Sequence, residues 1–176
     1  MVQRYPLQRI EGKGIYTLII EVFREIEVEV GRLGCKRYPA GLYTYTGSAL
    51  GPSKNSLFNR LSRHLRVKKR IFWHIDHLLK SGFVKVKAIV YSQTDEPYEC
   101  LVNRILMGRS IKLPHLEGFG ASDCMKGCRT HLLYFGTLND VVTFVHDAYR
   151  SIGLDPKVIS HEEFHIFKSE VDRSSI

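Results

Sequence analysis

The sequence predicts an α+β fold, a small and mostly antiparallel sheet flanked by helices. Two observations carry this. Three stretches of strand character follow one another with no helical pattern between them, which suggests a three-stranded meander core. After them, amphipathic helical patterns alternate with single strands, which adds strands to that core.

Residues 1–12 read as a lead-in. Lys13 to Phe23 (KGIYTLIIEVF) is rich in β-branched and aromatic residues, and its nearly unbroken apolar run implies burial on both faces. Ile26, Val28 and Val30 alternate with Glu25, Glu27 and Glu29, the period of a half-exposed strand. Gly31 to Gly41, with three glycines and Pro39, reads as a connection, and Leu42 to Gly47 as the third strand. From about Asn55 a basic helix carries Leu57, Leu61 and Leu65 on one stripe. A second helix is predicted over Ile71 to Ser81, stopped by Gly82. Phe83 to Tyr91 alternates apolar residues with Lys85 and Lys87, a strand with one wet face. Thr94 to Pro97 signals a helix start, and Gly108 ends that helix near Met107. Residues 109–130 look irregular. His131 to Phe135 is a short strand, Asn139 starts a last helix, and residues 155–176 have weak periodicity. The division this suggests is a lead-in (1–12), a central domain (13–136) and a C-terminal helix and tail (137–176).

A hydrophobic content of 44% supports a real core, and a formal charge of +8 favours a polyanionic partner, nucleic acid before membrane. The N-terminal residues lack the apolar region of a signal peptide, and no stretch approaches the roughly 20 apolar residues of a membrane span. The four cysteines are then expected to be reduced, in a cytoplasmic protein.

The chemistry-bearing residues concentrate between Gly41 and Leu65, where a strand ends in Tyr45-Thr46-Gly47 and the next helix carries Arg60 and His64. Gly14-Ile15-Tyr16 sits in the first strand. In this order the two tripeptides, followed by an arginine on the next helix, resemble the GIY-YIG nuclease superfamily. A narrower resemblance rests on GLYTYTGSA, RLSRH, WHIDHLL, GFGASDC and CRTHLLYF. In that order they are similar to the Uri-type group, long described as a domain of unknown function, over about residues 12–136. The chain departs at Thr46, where the superfamily has Ile or Val; that side chain is expected to face away from the site.

The resemblance implies a metal-dependent endonuclease that hydrolyses DNA phosphodiester bonds, with a structure- or damage-directed role in repair taken from family context. Glu99, in the first turn of its helix, would be the ligand of a single Mg²⁺ or Mn²⁺, an oxygen-ligated ion that keeps several waters. Arg60 would grip the phosphate through its planar fork. His64, whose ordinary pKa lies near neutrality, and Tyr16 are rival general bases. Tyr45 would hydrogen-bond phosphate or water, and Gly47 would let backbone approach without a Cβ. His131 stands where the superfamily often has an Asn. Ser48, Lys54, Arg63, Lys68, Lys69 and Arg70 are expected to contact nucleic acid. Two readings of Trp73-His74-Ile75-Asp76 stay open: residues lining the DNA groove, or a polar network bracing the basic helix. Cys124 and Cys128, spaced C-x3-C with His131 nearby, invite a zinc reading, but a second ligand pair is missing unless Cys35 or Cys100 folds in. Free thiols are therefore expected. The alternatives to a nuclease are a non-catalytic nucleic-acid-binding module that retains the fold, and an adaptor that docks a partner through the last helix and tail.

Overall fold

The computed structural model describes residues 10–54, 56–122 and 124–164. The α+β class holds. Five strands form an antiparallel sheet in the order β6-β4-β1-β5-β7, with β1 (Gly14–Val22) at its centre between β4 (Gly41–Ala49) and β5 (Val84–Gln93). The outer strands are β6 (Leu132–Gly136) and β7 (Lys157–Ser160). Helices α1 (Ser56–Leu65), α2 (His74–Leu79), α3 (Glu99–Met107) and α4 (Val141–Ser151) flank the sheet. No helix among the described residues is long and apolar enough to cross a membrane.

The unbroken apolar run of β1 has the predicted cause. Tyr16, Leu18, Ile20 and Val22 enter one core with Leu57, Leu61, Ile75 and Leu78 of α1 and α2. Ile15 and Ile19 enter a second core with Val102 and Leu106 of α3 and Val141, Val145 and Tyr149 of α4. With successive side chains on opposite faces, a strand between two helical layers must be apolar at nearly every position.

The meander is not formed as expected. β2 (Ile26–Glu29) leaves the sheet and pairs with β3 (Cys35–Tyr38), a strand inside the stretch that reads as a connection. β1 therefore pairs directly with β4. The alternation of Glu25, Glu27 and Glu29 is that of a solvent-facing ribbon, where Arg37 lies 3.8 Å from Glu25 and 3.6 Å from Glu27. The end of the chain also differs, because β7 adds the fifth strand beside β5. The expected α1 start at Asn55 and the end of the tail lie outside the described residues. The second helix is shorter than expected, since Asp76 draws the amides of Phe72 and Trp73 to its own carboxylate, both at 3.0 Å, and keeps them out of the helix.

Candidate functional site

The strand pairing sets Tyr16 opposite Gly47. A Cβ on Gly47 would stand 2.5 Å from the Tyr16 hydroxyl and 2.8 Å from its ring carbon. The absence of a Cβ at Gly47 thus lets the Tyr16 ring lie across β4. Thr46 turns the other way: its hydroxyl meets Thr17 at 3.0 Å, and Thr17 meets the Tyr149 hydroxyl at 3.0 Å. The Thr46 hydroxyl is thus satisfied by Thr17, away from the cleft.

Tyr16, Tyr45, Gly47, Ser48, Arg60, Glu99 and His131 all line one cleft of about 630 Å³. Two phenols, a guanidinium, a carboxylate and an imidazole thus converge from β1, β4, α1, α3 and the entry to β6. His74, Trp73, Phe72, Cys100 and Cys124 line it too.

His64 does not. It is buried behind Tyr16, whose hydroxyl lies 2.8 Å from its Nε2. Burial, and next the Lys69 ammonium, push the imidazole down to about 3, so it is neutral at physiological pH and not poised near neutrality. Burial likewise pushes the Tyr16 phenol well above the usual range, with Tyr45 adding to the effect and Arg60 opposing it. Neither rival base is therefore ionised on its own; they form one hydrogen-bonded couple.

The basic residues divide. Arg63 grips Asp76 with two bonds of 2.9 Å, and Lys69 lies 3.7 Å from the same carboxylate while donating to the His64 carbonyl. Asp76 is fully buried. Burial alone would raise its pKa, but Arg63 and the amides of Trp73 and Phe72 outweigh that and hold it at about 2. For Lys69, loss of hydration outweighs the attraction of Asp76, and its pKa falls to about 8. Arg63 and Lys69 are thus engaged in an internal network with Asp76. Lys54, Lys68 and Arg70 remain exposed. The Trp73–Asp76 motif accordingly braces the basic helix, with the Arg60 and Arg63 guanidiniums 4.2 and 4.0 Å from the Trp73 ring centre. His74 alone of the motif's two polar residues faces the cleft, where its Nδ1 accepts the Gly120 amide at 3.0 Å. Gly120 has a φ of 68°, and a Cβ there would strike Tyr45 at 2.7 Å.

The opposite wall is built differently. Glu99 opens α3 and is half-buried, and its Oε2 is a buried atom with no hydrogen-bond partner among the described residues. A lone oxygen of this kind fits an oxygen-seeking cation that completes its shell with water. Cys100 follows it, and beyond lie Cys124, Cys128 and His131. His131 is fixed through Nδ1, 3.0 Å from the Thr46 carbonyl, with Nε2 towards Cys100 rather than towards the open cleft. The fourth member of this group is Cys100, one of the two cysteines named from the sequence as able to complete it; it lies 24 residues before Cys124, on α3.

The fold and cleft define an α+β domain with a polar, basic-rimmed site at one end of a five-stranded antiparallel sheet. The chain belongs to the family described as "Domain of unknown function DUF123", whose model matches residues 15–154. No curated protein and no solved structure matches it.

Proposed function

We propose that this protein is a metal-dependent endonuclease of the GIY-YIG type, in its Uri-type group, that hydrolyses DNA phosphodiester bonds in the cytoplasm. The observation that carries the reading is the convergence of Tyr16, Tyr45, Arg60 and Glu99 on one cleft. Hydrolysis needs a base for water, charge to offset the phosphoryl oxygens, and help for the leaving oxygen.

Arg60, stacked on Trp73, offers phosphate a planar guanidinium that can donate two parallel bonds. Tyr16 is the group that meets water, and His64 stands behind it. With His64 in its Nδ1–H form, Nε2 accepts the Tyr16 O–H, which orients the phenol and leaves its oxygen lone pairs to hold the attacking water. Tyr45 hydrogen-bonds the phosphate or the incoming water. Glu99 would hold Mg²⁺ or Mn²⁺, which when bound supplies positive charge to the phosphoryl oxygens.

Phe72, 74% exposed, and the fully exposed Met125 belong to the cleft lining. Apolar side chains at such a mouth suit unstacked bases, which favours branched, nicked or damaged DNA over plain duplex. The test is cleavage of a labelled panel of duplex, nicked, flap and forked DNA with Mg²⁺, Mn²⁺ or EDTA. Metal-dependent nicking that Glu99→Gln reduces by at least about a hundredfold is the expected result. A Glu99→Gln protein that cuts as fast as wild type refutes the assignment. Salt-sensitive binding without any nicking would leave a nucleic-acid-binding module instead.

A further inference from the structure

The donor atoms of Cys100, Cys124, Cys128 and His131 all lie within 4.8 Å of one another. Three of these residues come from one segment and the fourth from α3, so the group exists only in the folded chain. From this clustering we infer a structural zinc site, with three thiolates and one imidazole as its closed ligand set.

The spacing is that of a tetrahedral site rather than of a disulfide. Zn–S bonds of about 2.3 Å at tetrahedral angles set sulfurs about 3.8 Å apart, and a sulfur and an imidazole nitrogen about 3.6 Å apart. Cys100 Sγ lies 3.6 Å from Cys124 Sγ and 3.9 Å from His131 Nε2. A disulfide would need the two sulfurs near 2.05 Å.

His131 adds an independent observation. It is 94% buried, the complement of its 6% exposure. Donation from Nδ1 to the Thr46 carbonyl leaves the Nε2 lone pair aimed into the cluster. A ring nitrogen anchored on a backbone carbonyl is how ligating histidines are usually oriented. The segment is also held in place by protein contacts: Asn103 donates to the Thr130 carbonyl at 2.8 Å, Arg104 to the Lys126 carbonyl at 2.6 Å, and Lys126 to the Pro97 carbonyl at 2.7 Å. The ligands are gathered before any ion arrives.

A closed four-ligand site has no open position for chemistry, so the ion is structural. It pins the segment carrying Gly120 and His131 to the first turn of α3, next to Glu99, and so fixes the wall of the cleft that carries the carboxylate. Each thiol gives its proton to solvent as it ligates. The site does not depend on the nuclease reading, since binding is measured without DNA.

The full-length chain, reduced and stripped of metal, is titrated with zinc and separately with cobalt(II). Alkylation of each cysteine is then followed by mass spectrometry. A single zinc per chain is expected, with thiolate-to-cobalt charge-transfer bands and tetrahedral d–d bands. Zinc should protect Cys100, Cys124 and Cys128 from alkylation, while exposed Cys35 stays reactive as an internal control. Cys128→Ser should lower affinity by more than about tenfold, and His131→Cys, which offers a fourth thiolate, should keep the zinc. Should Cys128→Ser fail to fold, the wild-type protection pattern decides. A wild-type chain whose three thiols alkylate equally with and without zinc, or whose cobalt form lacks thiolate bands, overturns the inference.

Discussion

The two walls of the cleft carry carboxylates of opposite circumstance. Asp76, on the α2 side, receives two bonds from Arg63 and two backbone amides and is fully buried. Glu99, on the α3 side, has a buried oxygen with no partner among the described residues. One wall is complete as polypeptide. The other holds an unmatched carboxylate and a cluster of thiols, groups that a protein interior leaves together at a cost unless something binds them. Sequence types alone would not separate these acids; the partners do.

The largest effect should come from the complete wall. Asp76→Ala leaves the partly buried Arg63 and Lys69 without their anion, and breaking a fully buried pair costs about 3–5 kcal/mol, which sets the upper bound here. Urea unfolding of Asp76→Ala should show that loss. A shift no larger than that of an exposed-site substitution would mean that the network is not structural.

Acid should open the same wall. His64 is neutral when folded, with a pKa of about 3, whereas the unfolded chain takes up that proton below about pH 6.5. The unfolded state binds the extra proton, so stability falls as pH drops from about 6.5 towards 3. Asp76, held at about 2, contributes stability above the unfolded carboxylate value near 4 and loses it only below that. The acid limb should therefore begin near pH 6.5 and reach up to about 2–3 kcal/mol by pH 4.5. His64→Gln, which keeps a hydrogen-bond partner for Tyr16, should move that onset towards pH 4. Unfolding midpoints against pH decide it.

How far this contrast was legible in the sequence follows from chain distance. The tyrosines, Arg60 and Glu99 were readable only because the motifs around them, taken in order, carry a family resemblance; each residue in its own local setting is weak evidence. The two-sided burial of β1 was readable from its unbroken apolar run. The β2–β3 ribbon was not, because alternation shows that one face is wet and says nothing of which strand lies alongside. His64 is one turn from Arg60 and looked like its companion. Only the packing of α1 on β1 shows that it points to the Tyr16 hydroxyl instead. Arg63 and Lys69 looked like free cations until α2 brought Asp76 between them. Cys100 had no local partner at all, and its role depends on a loop folding back over α3.

A smaller effect tests the junction of the walls. Gly47→Ala forces a methyl into the Tyr16 ring, and Tyr16 cannot retreat without leaving His64. Overpacking of this kind costs about 1–3 kcal/mol. Nicking activity should fall further than stability does, because the Tyr16–His64 couple is displaced even where the chain stays folded. Equal activity per folded molecule would remove Tyr16 from the reaction.

The smallest stability effect belongs to the incomplete wall. Glu99→Gln removes a charge that pairs with no cation among the described residues, at the loss of a favourable helix N-terminal charge of about 0.3–1 kcal/mol. Those terms oppose each other, so the metal-free variant should lie within about 1 kcal/mol of wild type, far from the cost at Asp76. The difference should appear only when Mg²⁺ is added. A ligand that binds the folded chain at a hundred times its Kd stabilises it by about 2.7 kcal/mol. Wild-type Tm should therefore rise with Mg²⁺ while the Tm of Glu99→Gln stays level. If Mg²⁺ raised both alike, the ion would be held elsewhere, and the unmatched oxygen of Glu99 would have to be explained by water or by DNA.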